Sequence, residues 1–367
     1  MIIDAAVTES KGAPFEIQQL DVDDLRPDEL LVKVVACGIC HTDLIIRDQW
    51  YPVPLPAVLG HEGAGVVEKV GSGVTSIAVG DHVAMSYGSC GDCPKCATGR
   101  PNLCHDFWGR NFAATRPDGS TALARNGDAV HSHFFGQSSF ATHAVATARN
   151  VVKLDPSLPL DVIAPFGCGI QTGAGAVLNS LRPEAGSSIA VFGTGTVGLA
   201  AIMAARVAGC TTIVGVDVKP ARLELALELG ATHVVDASER DAEAEIREIC
   251  DGVGADFSIE AVGSPPVLRQ AVDCTGPAGV CGLIGAPPFG AEVSLDMNNI
   301  LVAGRTLVGI VEGDSVPSVF LPRLIELWQQ GRFPIDRIMT HYDFDQIDVA
   351  ARDAEEGKVV KPVLRMS

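Results

Sequence analysis

The stretch Ser188-Ile-Ala-Val-Phe-Gly-Thr-Gly-Thr-Val-Gly198 decides how this chain is read. Residues 189–192 form a short apolar run of strand type. Gly193, Gly195 and Gly198 then supply a tight turn and the start of a helix. Such a turn brings backbone N–H groups close to a pyrophosphate, and the helix N-terminus favours its negative charge. A second apolar strand follows at 211–216 and ends on Asp217, about 20 residues beyond the last glycine. Strand, glycines, helix, strand and acid in that order predict a dinucleotide site. Asp217 would hold a ribose, and it could also cap the helix that begins near Pro220.

Outward from this unit, strands and helices alternate as in a doubly wound parallel α/β sheet. The expected strands are 189–192, 212–216, 233–236, 255–259 and 279–284, with 305–311 at an edge. A helix is expected over 174–179, and an amphipathic one over 317–330. Residues 3–7, 30–35, 64–70, 79–83 and 140–146 read as strands among frequent prolines and glycines, which suits a β-rich, partly barrel-like domain. Residues 21–28 read as a turn region and 106–133 as a long polar loop.

The chain has 367 residues, enough for two domains with separate cores. A hydrophobic share of 47% with 20% charged residues fits a compact protein. The formal net charge of −18 argues against nucleic acid and anionic membrane surfaces as partners. Residues 1–9 lack the pattern of an export signal, and no apolar run reaches membrane-spanning length. A cytoplasmic protein is expected, in which eleven cysteines are reduced thiols or metal ligands.

Four of those cysteines crowd into one loop, Cys90-Gly-Asp-Cys93-Pro-Lys-Cys96 and then Cys104. Thiolates at this spacing can close a tetrahedral shell around zinc, with no position left for a substrate. A structural metal is expected there. Cys40, His61 and Cys168 are scattered, and spacing alone does not unite them. Two thiolates and an imidazole would nonetheless make a three-ligand zinc site with one open position.

These motifs together, Cys40-His-Thr-Asp43, Gly60-His61-Glu62, the Cys90/93/96/104 loop, Gly167-Cys168-Gly169 and Gly193-Thr-Gly195-Thr-Val-Gly198, resemble the zinc-dependent medium-chain alcohol dehydrogenases. The resemblance covers essentially the whole chain in order. Residues 133–140 (His-Phe-Phe-Gly-Gln-Ser-Ser-Phe) and 311–317 (Val-Glu-Gly-Asp-Ser-Val-Pro) make it most similar to the aryl-alcohol (benzyl alcohol) dehydrogenases.

The resemblance implies a GroES-like catalytic domain over 1–169 and 312–367, and an NAD-binding Rossmann domain over 170–311. It implies one catalytic and one structural zinc per chain. Cys40, His61 and Cys168 would bind the catalytic ion, with Glu62 behind it and Asp43 fixing the tautomer of His61. Thr42 would take the alcohol proton. His41 and Lys361 would meet the cofactor pyrophosphate, while Thr172 and Val197 would press on the nicotinamide. Asp217, with Arg222 close by, would take the adenosine ribose, and Ile284 is a further cofactor contact. Trp50, Tyr51, Phe134 and Phe135 would border the substrate pocket; the alternative is that they are core.

The implied reaction is reversible oxidation of primary aryl or allylic alcohols to aldehydes by hydride transfer to NAD, in a homodimer or homotetramer. The alternatives are an S-(hydroxymethyl)glutathione (formaldehyde) dehydrogenase of the same family, or a noncatalytic zinc- and nucleotide-binding protein. One departure stands out. Ile45 lies where family members with a full proton relay carry histidine, so the relay ends at ribose and solvent, or His41 substitutes.

Overall fold

The computed structural model describes residues 1–366, which divide into two compact units. One comprises Met1–Cys168, Val316–Ile325 and the chain from Asp336 onward. The other comprises Gly169–Ser315 and Glu326–Ile335.

Strand Glu29–Gly38 is the centre of the first unit. It pairs antiparallel with Gly63–Val70, His143–Thr147 and Lys361–Arg365. Its run Leu-Leu-Val-Lys-Val-Val-Ala-Cys is buried almost throughout, as a strand covered on both faces must be. Val151–Leu154, His82–Met85 and Met339–Asp343 complete a seven-stranded sheet among the described residues. A second sheet orders Ala57–Val58, Ile2–Thr8, Phe15–Val22, Leu123–Arg125 and Asp128–Val130.

Two of these elements depart from the sequence reading. Strand Phe15–Val22 buries only Phe15 and Leu20, so its apolar alternation is too sparse to stand out. Residues 106–133 are not one loop: they hold helix Phe107–Phe112 and the hairpin Leu123–Arg125/Asp128–Val130.

An ionic cluster is buried in this unit. Arg116 donates in bidentate fashion to Glu29, at 2.7 and 2.8 Å, and also to Asp23 at 2.9 Å. Glu29 and Arg116 are each 3% exposed, and His133 Nε2 lies 3.5 Å from Glu29. Burial pushes the Glu29 carboxyl up, but hydrogen bonding to His133, Arg116 and the Arg26 N–H outweighs it and brings the group to about 2. A carboxyl lowered from 4.5 contributes stability that is complete above its unfolded value and lost as pH falls towards 2. Glu29→Leu leaves the buried guanidinium with Asp23 as its one carboxylate partner and is expected to cost about 3 kcal/mol in urea unfolding at neutral pH. It should also flatten the acid limb of the stability curve, and an unaltered limb would assign that limb to other carboxyls.

The second unit is a parallel sheet in the order His233–Asp236, Thr212–Asp217, Ser188–Phe192, Ala255–Glu260, Thr275–Leu283, Thr306–Gly309. The expected α/β architecture is thus present. Strand succession reverses between Ser188–Phe192 and Ala255–Glu260, the place where such sheets bind ligands at their carboxyl ends. Helix Thr196–Ala208 is buried along most of its length and stops at Gly209 (φ +92°), whose N–H returns to the Ala205 and Arg206 carbonyls. The helix expected at 174–179 begins earlier, as Gly169–Gly175, and loosens into a π-helical turn over Ala176–Leu181. Among the described residues no helix is long and apolar enough to cross a membrane.

Candidate active site

Cys40, His61 and Cys168 converge: their ligand atoms all lie within 4.8 Å of one another. Cys40 is the N-cap of helix His41–Arg47, where thiolate charge is favoured. His61 follows Gly60 (φ +86°), a turn that drives the imidazole into the interior. Cys168 closes the segment Ala164–Gly167, which lies so close to strand His82–Met85 that a Cβ on Gly167 would meet the Met85 carbonyl oxygen at 2.0 Å.

One carboxylate joins the first two ligands. Asp43 Oδ1 takes His61 Nδ1 at 2.8 Å and the Gly60 N–H at 3.1 Å, while Oδ2 takes the Cys40 N–H at 2.9 Å. Asp43 and His61 are fully buried. With Nδ1 so engaged, His61 Nε2 is buried without a hydrogen-bond partner. A buried, unsatisfied imidazole nitrogen beside two sulfurs is what a metal would satisfy. Hydrogen bonding from Cys168 draws the Cys40 thiol well below its usual range despite burial. Burial opposes charge on His61, but Asp43 raises it well above an ordinary histidine. The donors therefore fit zinc: soft thiolates, and an oriented imidazole whose second nitrogen is held by a carboxylate.

The second cysteine set also closes. Cys90, Cys93, Cys96 and Cys104 lie within 4.8 Å of one another, with the Cys90 and Cys96 sulfurs 3.9 Å apart. Backbone N–H groups of Cys90, Cys93 and His105 donate to Cys104, Cys90 and Cys93 sulfurs at 3.3 to 3.5 Å. Donation from the His105 and Cys96 amides lowers the Cys93 thiol to about 6. Four ligands leave no open coordination position.

In the second unit the three glycines perform distinct tasks. Gly193 sits at φ +88°, and a Cβ on Gly198 would lie 1.8 Å from the Gly193 carbonyl oxygen. Gly195 faces open space, leaving the helix N-terminus approachable. Asp217 ends its strand and accepts the Thr194 N–H and hydroxyl on Oδ2, and the Val218 and Lys219 N–H groups on Oδ1. Arg222 Nη1 stands 4.0 Å from it. Thr172 and Val197 come from two helices so close that a Cβ on Gly173 would meet the Val197 carbonyl oxygen at 1.9 Å. Ile284 follows strand Thr275–Leu283, its N–H donating to the Glu260 carbonyl.

Residues 26–156 match the family described as alcohol dehydrogenase GroES-like domain, and residues 196–329 match the zinc-binding dehydrogenase family. The geraniol dehydrogenase of Castellaniella defragrans is 45% identical over 98% of this chain and 96% of its own. The chain belongs to the zinc-dependent alcohol dehydrogenases. Its structure is similar to a zinc-binding-domain alcohol dehydrogenase from Burkholderia ambifaria, with TM-score 0.98, 52% identity and coverage of 100% and 99% of the two chains. It is also similar to the benzyl alcohol dehydrogenase of Acinetobacter calcoaceticus, with TM-score 0.97, 48% identity and full coverage of both. Zinc and a nicotinamide nucleotide are the cofactors of this family, and a small alcohol is its substrate.

Within this dehydrogenase the other predicted site residues have these surroundings. The Lys361 ammonium is 2.7 Å from Glu62 and 3.0 Å from the Ile39 carbonyl, in a residue 1% exposed. Burial disfavours that charge, yet the adjacent Glu62 keeps Lys361 protonated. Gly38 makes room, since a Cβ there would meet Glu62 Oε2 at 2.1 Å. His41 is exposed and stands edge-on to Trp50, itself 47% exposed. Tyr51 packs on Trp108 and Phe112.

Phe135 stacks on the His61 ring with centroids 4.5 Å apart, and Phe134 meets the same ring edge-on at 5.3 Å. Phe112 touches both phenylalanines and stacks on Trp108. Trp108 and Phe112 fall in the stretch 106–133 that reads as a polar loop, and nothing in the sequence assigns them a part in the site. Their only sequence signal was aromatic density in a polar stretch.

Proposed function

We propose that this dehydrogenase oxidises primary aryl and allylic alcohols to aldehydes, reversibly, with NAD as hydride acceptor. The observation that carries it is the aromatic surround of the ligand set, with Phe135 stacked on His61 and Phe134 and Phe112 next to it. A flat apolar substrate gains from such walls, whereas a glutathione conjugate needs polar and charged groups. The names of the geraniol and benzyl alcohol relatives support the same substrate class.

Cys40, His61 and Cys168 would hold zinc, which when bound supplies Lewis acidity at the alcohol oxygen, while the nicotinamide accepts hydride. Asp43 keeps the His61 proton on Nδ1 and so leaves Nε2 as a ligand. Thr42 Oγ1, 3.7 Å from Cys40 Sγ, would hold the proton lost by the alcohol. Phe134 and Phe135, 0% and 4% exposed, pack on the His61 ring and keep water from it. Asp217 grips ribose and repels a ribose phosphate, favouring NAD over NADP.

A screen following NADH absorbance is the test. Benzyl, cinnamyl and terpenoid allylic alcohols are expected to exceed ethanol in kcat/KM by about a hundredfold or more. A clear preference for S-(hydroxymethyl)glutathione would replace this reading with the formaldehyde dehydrogenase. NAD binding with no alcohol-dependent signal would replace it with a noncatalytic protein.

A further inference from the structure

The segment 133–140 does more than present two phenylalanines. It is laced onto the loop that carries His61. Ser138 Oγ donates to the Val58 carbonyl at 2.6 Å, Phe140 N–H to Leu59 at 3.0 Å and Ser139 N–H to Gly60 at 2.8 Å. Between these lies Gln137, whose side chain is an amide 1% exposed. Its Oε1 accepts the Gly63 N–H at 3.0 Å and the Ser139 hydroxyl at 2.9 Å. Its Nε2 donates to the His61 carbonyl at 2.9 Å and to the Ser86 carbonyl at 3.4 Å. Ser86 in turn donates its hydroxyl to the Gly167 carbonyl at 2.7 Å, one residue before Cys168.

One amide therefore touches the His61 segment directly and reaches the Cys168 segment through Ser86. Asp43 ties Cys40 to His61, and the Gln137–Ser86 path ties His61 to Cys168. Only an amide suits the place, because it must accept from one backbone N–H and donate to two carbonyls at once. A carboxylate would set oxygen against oxygen, and an apolar chain of equal length would leave the buried groups unpaired.

We propose that Gln137 is a positioning residue for the three-ligand metal site, holding His61 and Cys168 in register so that the metal is retained there. The inference rests on Cys40, His61 and Cys168 being a zinc site. It is tested on the full-length zinc-loaded enzyme, without alcohol, by following zinc transfer to 4-(2-pyridylazo)resorcinol. Wild type should release zinc in two phases. Gln137→Met, which fills the same space without hydrogen bonds, is expected to speed the faster phase about tenfold or more, as removal of such outer partners does.

The slower, four-cysteine phase and NADH binding should stay at their wild-type values. A faster-phase rate within about twofold of wild type overturns the inference. So does equal acceleration of both phases, which marks general loosening of the fold. Should Gln137→Met not fold, Ser139→Ala removes one partner of the amide and is expected to speed the same phase about threefold; an unchanged rate overturns the inference equally. A wild-type enzyme carrying a single zinc would instead overturn the metal reading itself.

Discussion

Cys168→Ala is expected to yield a folded protein with one zinc in place of two, and with kcat/KM for benzyl alcohol reduced about a thousandfold or more. Loss of a Lewis acid removes several kcal/mol of transition-state stabilisation, and each 1.4 kcal/mol is tenfold in rate. Cys168 suits the test better than His61. Removing the imidazole would leave the fully buried Asp43 carboxylate with only the Gly60 and Cys40 N–H groups, and that loss would mix stability with chemistry. Alanine at 168 leaves the Ser86–Gly167 hydrogen bond and the close approach of Gly167 to Met85 in place. Metal analysis, NADH binding and initial rates together form the measurement. Retained activity with a single zinc would place the chemistry elsewhere.

The second large effect is on cofactor choice. Replacing Asp217 by Gly should lower the ratio of NAD to NADP catalytic efficiency about a hundredfold or more, since juxtaposed like charges cost several kcal/mol. The carboxylate also accepts four hydrogen bonds from Thr194, Val218 and Lys219, so glycine loosens the turn as well. Asp217→Asn separates the two effects: it removes the charge and keeps an acceptor oxygen. In both variants Arg222, whose Nε is buried without a partner, would be freed towards a ribose phosphate. A ratio equal to wild type in both variants would remove Asp217 as the discriminating group.

What could be read from the chain was what lies close along it. Gly193, Gly195 and Gly198 with Asp217, and the four cysteines from 90 to 104, bring their partners within one turn or loop. The parallel sheet followed from the regular alternation of apolar strands. Cys40, His61 and Cys168 were legible only through family resemblance, because three separate backbone segments assemble them. Gln137 lies in the 133–140 stretch that carries the resemblance, but nothing marked it out there, and the Glu29–Arg116 pair gave no signal at all. A glutamine in a polar stretch and a glutamate opening a strand look like surface residues until the fold buries them. The Lys361–Glu62 pair gave no signal either, because the two residues are brought together only when strand Lys361–Arg365 pairs with Glu29–Gly38.

The two cysteine sets differ in how much chain must be arranged before either can grip an ion. Cys90 to Cys104 is a short loop whose ends meet at little entropic cost, so it can capture metal while the polypeptide is still emerging. Cys40 and Cys168 stand far apart along the backbone, and their closure entropy must be met by the finished β-rich unit. Loop-closure entropy therefore predicts an ordered assembly, in which the four-cysteine loop would load first and the Cys40, His61 and Cys168 set would take zinc only once its surroundings are complete.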